Sequence, residues 1–185
     1  TGKIYRFIGF LRIKFKKKFN YNFVKKKITS LKTKDLQKKN LLSDEIAISA
    51  AVIAKDKKIR NIVHNYQQKI AFNPPKRFHG SILDGRDITS VQLKNATFKF
   101  YITASIQARA ARRYKEYRRL KKQISFKEVL KSIKKRDKLD RTRKYGPLIK
   151  TKDSILINTT KLSKKTCFKK IKVIMDRKLK INGNI

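Results

Sequence analysis

The chain has 185 residues, with 52 Lys+Arg against 12 Asp+Glu and a formal net charge of +40. The length fits one domain with a small insert, and the charge raises nucleic acid or an acidic membrane surface as partners, although the lysines spread along the whole chain as background usage would spread them. The lone Cys167 excludes an internal disulfide, and neither an apolar run near the ~20 residues of a membrane span nor a signal peptide is present, which together read as a cytoplasmic protein.

Ile4, Phe7, Ile8, Leu11 and Phe15 recur on one helical face and predict a helix at the start of the chain. The chain opens at Thr1 and its one Met is Met175, so a preceding segment is expected. Lys14 to Lys39 is lysine-rich with scattered Phe15, Phe19, Tyr21 and Phe23, and reads as a solvated, loosely structured insert. Basic residues interleaved with aromatics also suit single-stranded nucleic acid. Ser43 predicts a helix cap, with Asp44 and Glu45 in the first turn. Asp56 restarts the helix, and Ile59, Ile62, Val63, Tyr66 and Ile70 continue it, with Arg60 beside the stripe. Pro74-Pro75 ends it. His64 and His79 lack metal-ligand spacing and read as structural or surface residues.

Ser81-Ile82-Leu83-Asp84-Gly85-Arg86-Asp87 reads as a short apolar strand that delivers charge at its C-terminal end, where ligands bind in open α/β sheets. Arg86 offers a planar fork suited to phosphate, and Asp84 and Asp87 suit a hydroxyl, a base edge or a metal-bound water. Lys99–Ile102 predicts a second strand, and Ser105 caps a helix carrying Arg109, Arg112 and Arg113 close together near its start. Phe126, Val129, Leu130 and Ile133 predict the next helix. Its continuation puts Arg136, Asp140 and Arg143 on one face, as an ion-pair ladder or as a sugar-and-phosphate clamp. Pro147 ends that segment, Ser154–Asn158 reads as a strand buried in a parallel sheet, and Ser163 starts a last helix. The expected fold class is α/β: a three-layer parallel sheet with helices on both faces.

Several of these motifs together resemble bacterial cytidylate kinases. The resemblance lies in Leu83-Asp84-Gly85-Arg86-Asp87, in Ala104-Ser105 with Arg109, Arg112, Arg113 and Tyr114, and in Arg136-Asp137-Lys138-Leu139-Asp140-Arg141-Thr142-Arg143 before Pro147-Leu148. Asn158-Thr159-Thr160 with Leu162-Ser163 adds to it, and Thr1-Gly2-Lys3-Ile4-Tyr5-Arg6 resembles the family's Asp-(Thr/Ser)-Gly-x-x-Tyr-Arg motif entered one residue late. The resemblance implies a P-loop nucleoside monophosphate kinase fold and transfer of the γ-phosphoryl of ATP to CMP or dCMP, with Mg²⁺ as cofactor. It implies that Arg6 and Arg86 hold the CMP phosphate, that Thr1 and Tyr5 also bind substrate, and that Arg60 with Asp87 reads the cytosine. Asp140 would take the sugar hydroxyls while Arg136 and Arg143 clamp nucleotide and phosphate. Arg109, Arg112 and Arg113 would neutralise the transferring phosphate from a mobile lid, and Asp84 would approach Mg²⁺, through water rather than directly.

The implied division is a core helix at 1–13, a CMP-binding region at 14–72 and a core at 73–185 with lid helices near 105–146. The family's Gly-x-x-x-x-Gly-Lys-(Ser/Thr) loop is absent from the sequence and is expected, with its strand, before Thr1. The 185 residues alone are therefore expected to be inactive in transfer. Ala51 and Leu42 also depart from the serine and arginine common in the family, and the Lys14–Lys39 region is shorter than its usual insert. A monomer with only non-specific affinity for nucleic acid is expected. The alternatives are a basic nucleic-acid-binding protein and a non-catalytic kinase relic.

Overall fold

The computed structural model describes residues 2–181, so Thr1 lies outside the described residues. The chain divides into two compact units, Thr1–Lys94 and Asn95–Ile185.

The described part of the first unit is helical. Helix α1 spans Gly2–Lys14 and buries Ile4, Phe7, Ile8 and Leu11, the stripe that the spacing predicts. Helix α2 (Tyr21–Thr29) lies inside the lysine-rich region expected to be loose. The correction has a simple origin. Val24 and Ile28, one turn apart, are fully buried, Phe15, Phe19 and Phe23 pack against the same core, and Asn20 caps the helix by accepting from the Phe23 N–H. Lysines at 25, 26 and 27 conceal that stripe in the sequence, but they are exposed and leave the buried face intact.

Helix α3 (Asp44–Ile53) starts at the predicted cap, with Ser43 Oγ accepting from the Ile46 N–H at 3.3 Å. It packs closely on α1. A Cβ on Gly9 would meet Ala50 N at 2.9 Å and Ile46 O at 3.0 Å, so only glycine permits this approach. Ser49 Oγ adds a hydrogen bond to Gly9 O at 3.3 Å. Helix α4 (Lys57–Phe72) follows and ends before Pro74-Pro75, as expected.

Ser81–Asp84, expected as a strand, is irregular, and Ile82 is 95% exposed. An apolar tetrapeptide becomes a strand only when a neighbour takes up its backbone hydrogen bonds. Among the described residues no strand lies beside it. A single π-turn, Ile88–Gln92, follows Asp87.

The second unit holds strand β1 (Phe100–Thr103), helix α5 (Ile106–Arg119), helix α6 (Phe126–Thr142), strand β2 (Ile155–Asn158) and helix α7 (Lys164–Ile181). β1 and β2 are parallel, in the register Phe100↔Ile155 to Thr103↔Asn158. The two long helices between them supply the crossover that parallel strands require. α6 begins with a capping box in which Ser125 and Glu128 exchange hydrogen bonds. Tyr114 of α5 meets Phe126 of α6 edge-on at 5.9 Å. The described sheet is thus two-stranded, not the broad three-layer sheet expected. Ile157 is completely buried, yet Leu156 stays 51% exposed, so β2 is not covered on both faces as its apolar run predicts.

Candidate functional site

The candidate residues nominated from the sequence fall into two groups of charged side chains, one within each unit.

In the first unit, α4 presents Arg60 towards the segment 83–92. The Arg60 Nη2 lies 2.5 Å from Asp87 Oδ2, and each side chain is only 12% exposed. Arg60 Nη1 also donates to Ala54 O at 3.3 Å. The pair that the family resemblance nominates for one base is therefore in direct contact across 27 residues of sequence. Asp56 fixes where α4 begins. Its carboxylate accepts from the Ile59 N–H at 3.0 Å and from the Tyr21 hydroxyl at 3.0 Å. Desolvation pushes the Asp56 carboxyl up, but these hydrogen bonds and Lys58 outweigh it and hold the group below its ordinary 3.8.

Asp56→Ala is expected to cost about 1 kcal/mol of stability, the usual size of a lost N-cap. Because the folded carboxyl titrates below its unfolded value, that stabilisation is complete above the unfolded pKa. It is lost as pH falls through the folded one. Urea unfolding should show the wild-type advantage intact at neutral pH and shrinking only below the ordinary 3.8.

Arg6 is half-buried on α1, where its Nη1 donates to Leu41 O at 2.8 Å and to Ser43 O at 3.4 Å. Tyr5 is half-buried and packs against the same core. Asp84 and Arg86 stand exposed on the irregular segment before Asp87. Ser90 Oγ, in the π-turn, is a buried polar atom with no hydrogen-bond partner among the described residues.

His64 and Gln92, which the sequence did not connect to Arg60 and Asp87, adjoin that pair. Arg60, His64 and Gln68 stand at i, i+4 and i+8 on α4, one face of the helix, and that spacing was the available signal. His64 Nδ1 hydrogen-bonds Gln92 Oε1, and Gln68 Nε2 donates to Gln92 O at 3.3 Å.

In the second unit, Ser105 caps α5 by accepting from the Ala108 N–H at 3.2 Å and so fixes the phase of the arginines behind it. Arg109 makes a bidentate pair with Asp137 of α6, at 2.8 and 2.7 Å, and its Nε donates to Ala104 O at 3.1 Å. Arg112 reaches the end of β2, donating to Thr159 Oγ1 at 3.1 Å and to the carbonyls of Thr159, Thr160 and Leu162. Arg113 is exposed, pairs with Glu116 at 2.6 Å and lies over the Tyr117 ring. Asp140 stands between Arg136 (3.9 Å) and Arg143 (3.8 Å), as the spacing predicts. Asp140 is 15% exposed, whereas Arg136 is 70% exposed. Arg143 Nε donates to Gly146 O at 2.5 Å, which bends the chain at the end of α6.

Among the described residues no three His, Cys, Asp or Glu side chains gather as a metal cage. Asp84, a single exposed carboxylate, suits a cation whose other ligands are phosphates and water, which is how Mg²⁺ is held beside nucleotides. No described helix is long and apolar enough to cross a membrane.

The cytidylate kinase family model matches residues 1–177. A cytidylate kinase of Clostridium botulinum (strain Loch Maree / Type A3) is 39% identical over 137 residues, covering 74% of this chain and 59% of that protein. One from Thermosipho melanesiensis is 40% identical over 137 residues, covering 74% and 61%. Another, from Caldanaerobacter subterraneus subsp. tengcongensis, is 38% identical over 126 residues, covering 68% and 54%. The chain spans about three fifths of the length of the first two relatives. With the family comes the α/β fold of nucleoside monophosphate kinases, of which the parallel β1–β2 pair is a part. The match runs through both charged clusters and nearly the whole sequence, and the chain belongs to the cytidylate kinase family.

Proposed function

We propose that the protein binds CMP or dCMP as acceptor and belongs to an enzyme that moves the γ-phosphoryl of ATP onto it, giving CDP or dCDP and ADP. The observation that carries this reading is the Arg60–Asp87 pair, nearly buried and in direct contact. Cytosine offers ring acceptors beside an exocyclic amine donor. A guanidinium next to a carboxylate is the complementary set, since a carboxylate accepts from the amine at position 4. Arg6 and Arg86 supply cations for the 5′-phosphate, with Tyr5 adjacent to Arg6 in sequence and Thr1 shortly before it. Asp140, held between Arg136 and Arg143, suits the sugar hydroxyls.

Phosphoryl transfer depends on positioning and charge neutralisation rather than covalent chemistry. Arg109, Arg112 and Arg113, on one helix and close in phase, are the groups we assign to neutralising the phosphates. Mg²⁺ supplies charge neutralisation between the phosphates when bound, and Asp84 is the carboxylate we place near it. The 185 residues contain no Gly-x-x-x-x-Gly-Lys-(Ser/Thr) run to cradle the β- and γ-phosphates. The informative readout on this chain is therefore acceptor binding.

Calorimetric titration with CMP tests the reading. Arg86→Ala and Asp140→Ala are each expected to weaken CMP about tenfold or more, the loss of one charge-assisted contact. Binding of a single-stranded RNA oligonucleotide should remain weak and fall steeply with added salt. The reading fails if both substitutions leave CMP affinity unchanged. Tight RNA binding with no CMP binding would favour a basic nucleic-acid-binding protein instead.

A further inference from the structure

A second polar layer stands behind Arg60 and Asp87. Gln92, 6% exposed, closes the π-turn that begins just after Asp87. Its Nε2 donates to Asp87 Oδ2 at 3.5 Å, the same oxygen that Arg60 Nη2 meets. Its Oε1 is bonded to His64 Nδ1. Gln68 and the Leu93 N–H hold the turn itself, through Gln92 O at 3.3 Å and Ile88 O at 2.7 Å.

The direction of this chain of bonds is forced. An ionised carboxylate accepts only, so Gln92 must turn its amide NH₂ towards Asp87. Its carbonyl then faces His64, and the proton must sit on His64 Nδ1. Donors therefore run from His64 through Gln92 to Asp87, with Arg60 donating to the same oxygen. With Arg60 and Gln92 both donating to Oδ2, the layer holds the plane of the Asp87 carboxylate.

We propose that Gln92 and His64 are positioning residues that set the protein's choice between a 4-amino and a 4-keto pyrimidine, by locking Asp87 as an oriented acceptor. The inference rests on the reading of Arg60 and Asp87 as the base-reading pair. A 4-amino group donates into such an acceptor, whereas a 4-keto group meets it lone pair to lone pair.

The test is the ratio of dissociation constants for UMP and CMP, measured by calorimetry on the 185-residue chain, with thermal midpoints followed alongside. Gln92→Leu and His64→Leu are each expected to lower the UMP/CMP ratio on the order of tenfold, mainly by weakening CMP, the size of one hydrogen bond to a charged group. Ribose 5-phosphate, which has no base, should bind all variants alike. His64→Asn, whose side-chain NH₂ can occupy the place of Nδ1–H, should restore most of the ratio. A merely structural role would weaken CMP, UMP and ribose 5-phosphate together, and that result overturns the proposal. So does a wild-type ratio retained in both leucine variants. A wild-type chain that binds neither nucleotide overturns the base-reading assignment itself, and this inference with it.

Discussion

Arg60→Ala is expected to weaken CMP binding about a hundredfold and to cost the fold roughly 2–3 kcal/mol. The two losses share one cause. Arg60 and Asp87 are each only 12% exposed, so removing the guanidinium takes a charged donor away from a carboxylate held nearly out of water. Removing one partner of a fully buried pair costs about 3–5 kcal/mol, and the residual exposure together with the Gln92 donor to Asp87 places the expected value below that range. The binding loss is separate, because the base would lose a planar donor fork. Arg60→Lys separates the two effects. A lysine keeps the charge near Asp87 and should recover most of the stability, but its ammonium cannot offer two parallel donors to a ring edge. CMP affinity in Arg60→Lys should therefore stay at least about tenfold below wild type, one charge-assisted hydrogen bond's worth. Urea unfolding and CMP titration on both variants measure this. Unchanged CMP affinity in Arg60→Lys would show that the pair is a structural ion pair and not a base reader.

The helices were legible where a cap and an apolar stripe coincide. Ser43, Asp56, Ser105 and Ser163 all cap as expected, because a short polar side chain before a periodic segment has one obvious use. Helix α2 was hidden because lysines surround its short stripe of Val24 and Ile28, and composition argued for a solvated insert. The segment at Ser81–Asp84 failed in the opposite way. Its apolar run is strand-like, but strand formation is a property of a pair, and its pairing partner cannot be read from the run itself. Most of the charged candidate residues were nominated by motif order rather than by periodicity. Asp140 between Arg136 and Arg143 follows from helical spacing alone, and its geometry agrees. The contact between Arg60 and Asp87 does not follow from spacing, since 27 residues separate them. His64 was set aside because a lone histidine carries no metal spacing. The structure bonds it to Gln92, an amide that nothing in the local sequence distinguishes.

Arg109, Arg112 and Arg113 of α5 look equivalent in the sequence and should behave very differently when removed. Arg112→Ala is expected to destabilise the second unit by about 2 kcal/mol, the loss of charged donors to several acceptors. Arg112 ties α5 to the end of β2, where Thr159 is 7% exposed and is itself bound to Thr103 O through its N–H at 2.7 Å and its hydroxyl at 3.0 Å. Without the guanidinium, the Thr159 carbonyl keeps the Leu162 N–H at 3.1 Å but loses its charged donor, and so does the Thr159 hydroxyl, on a nearly buried residue. Arg113→Ala should cost no more than about 0.5 kcal/mol, because its partner Glu116 is an exposed neighbour one turn away. Arg109 is intermediate: its bidentate pair with Asp137 joins α5 to α6, and both side chains are about one third exposed. Asp137→Asn weakens that join while leaving Arg109 charged. Urea midpoints for the variants should therefore fall in the order Arg113→Ala, Arg109→Ala, Arg112→Ala, from mildest to most severe. The same order decides which arginine can report on phosphate handling. A loss of nucleotide binding in Arg112→Ala would be confounded by the fold, whereas in Arg113→Ala it would be a direct effect of charge. Equal destabilisation by Arg112→Ala and Arg113→Ala would mean that the contacts at the end of β2 do not hold α5 in place.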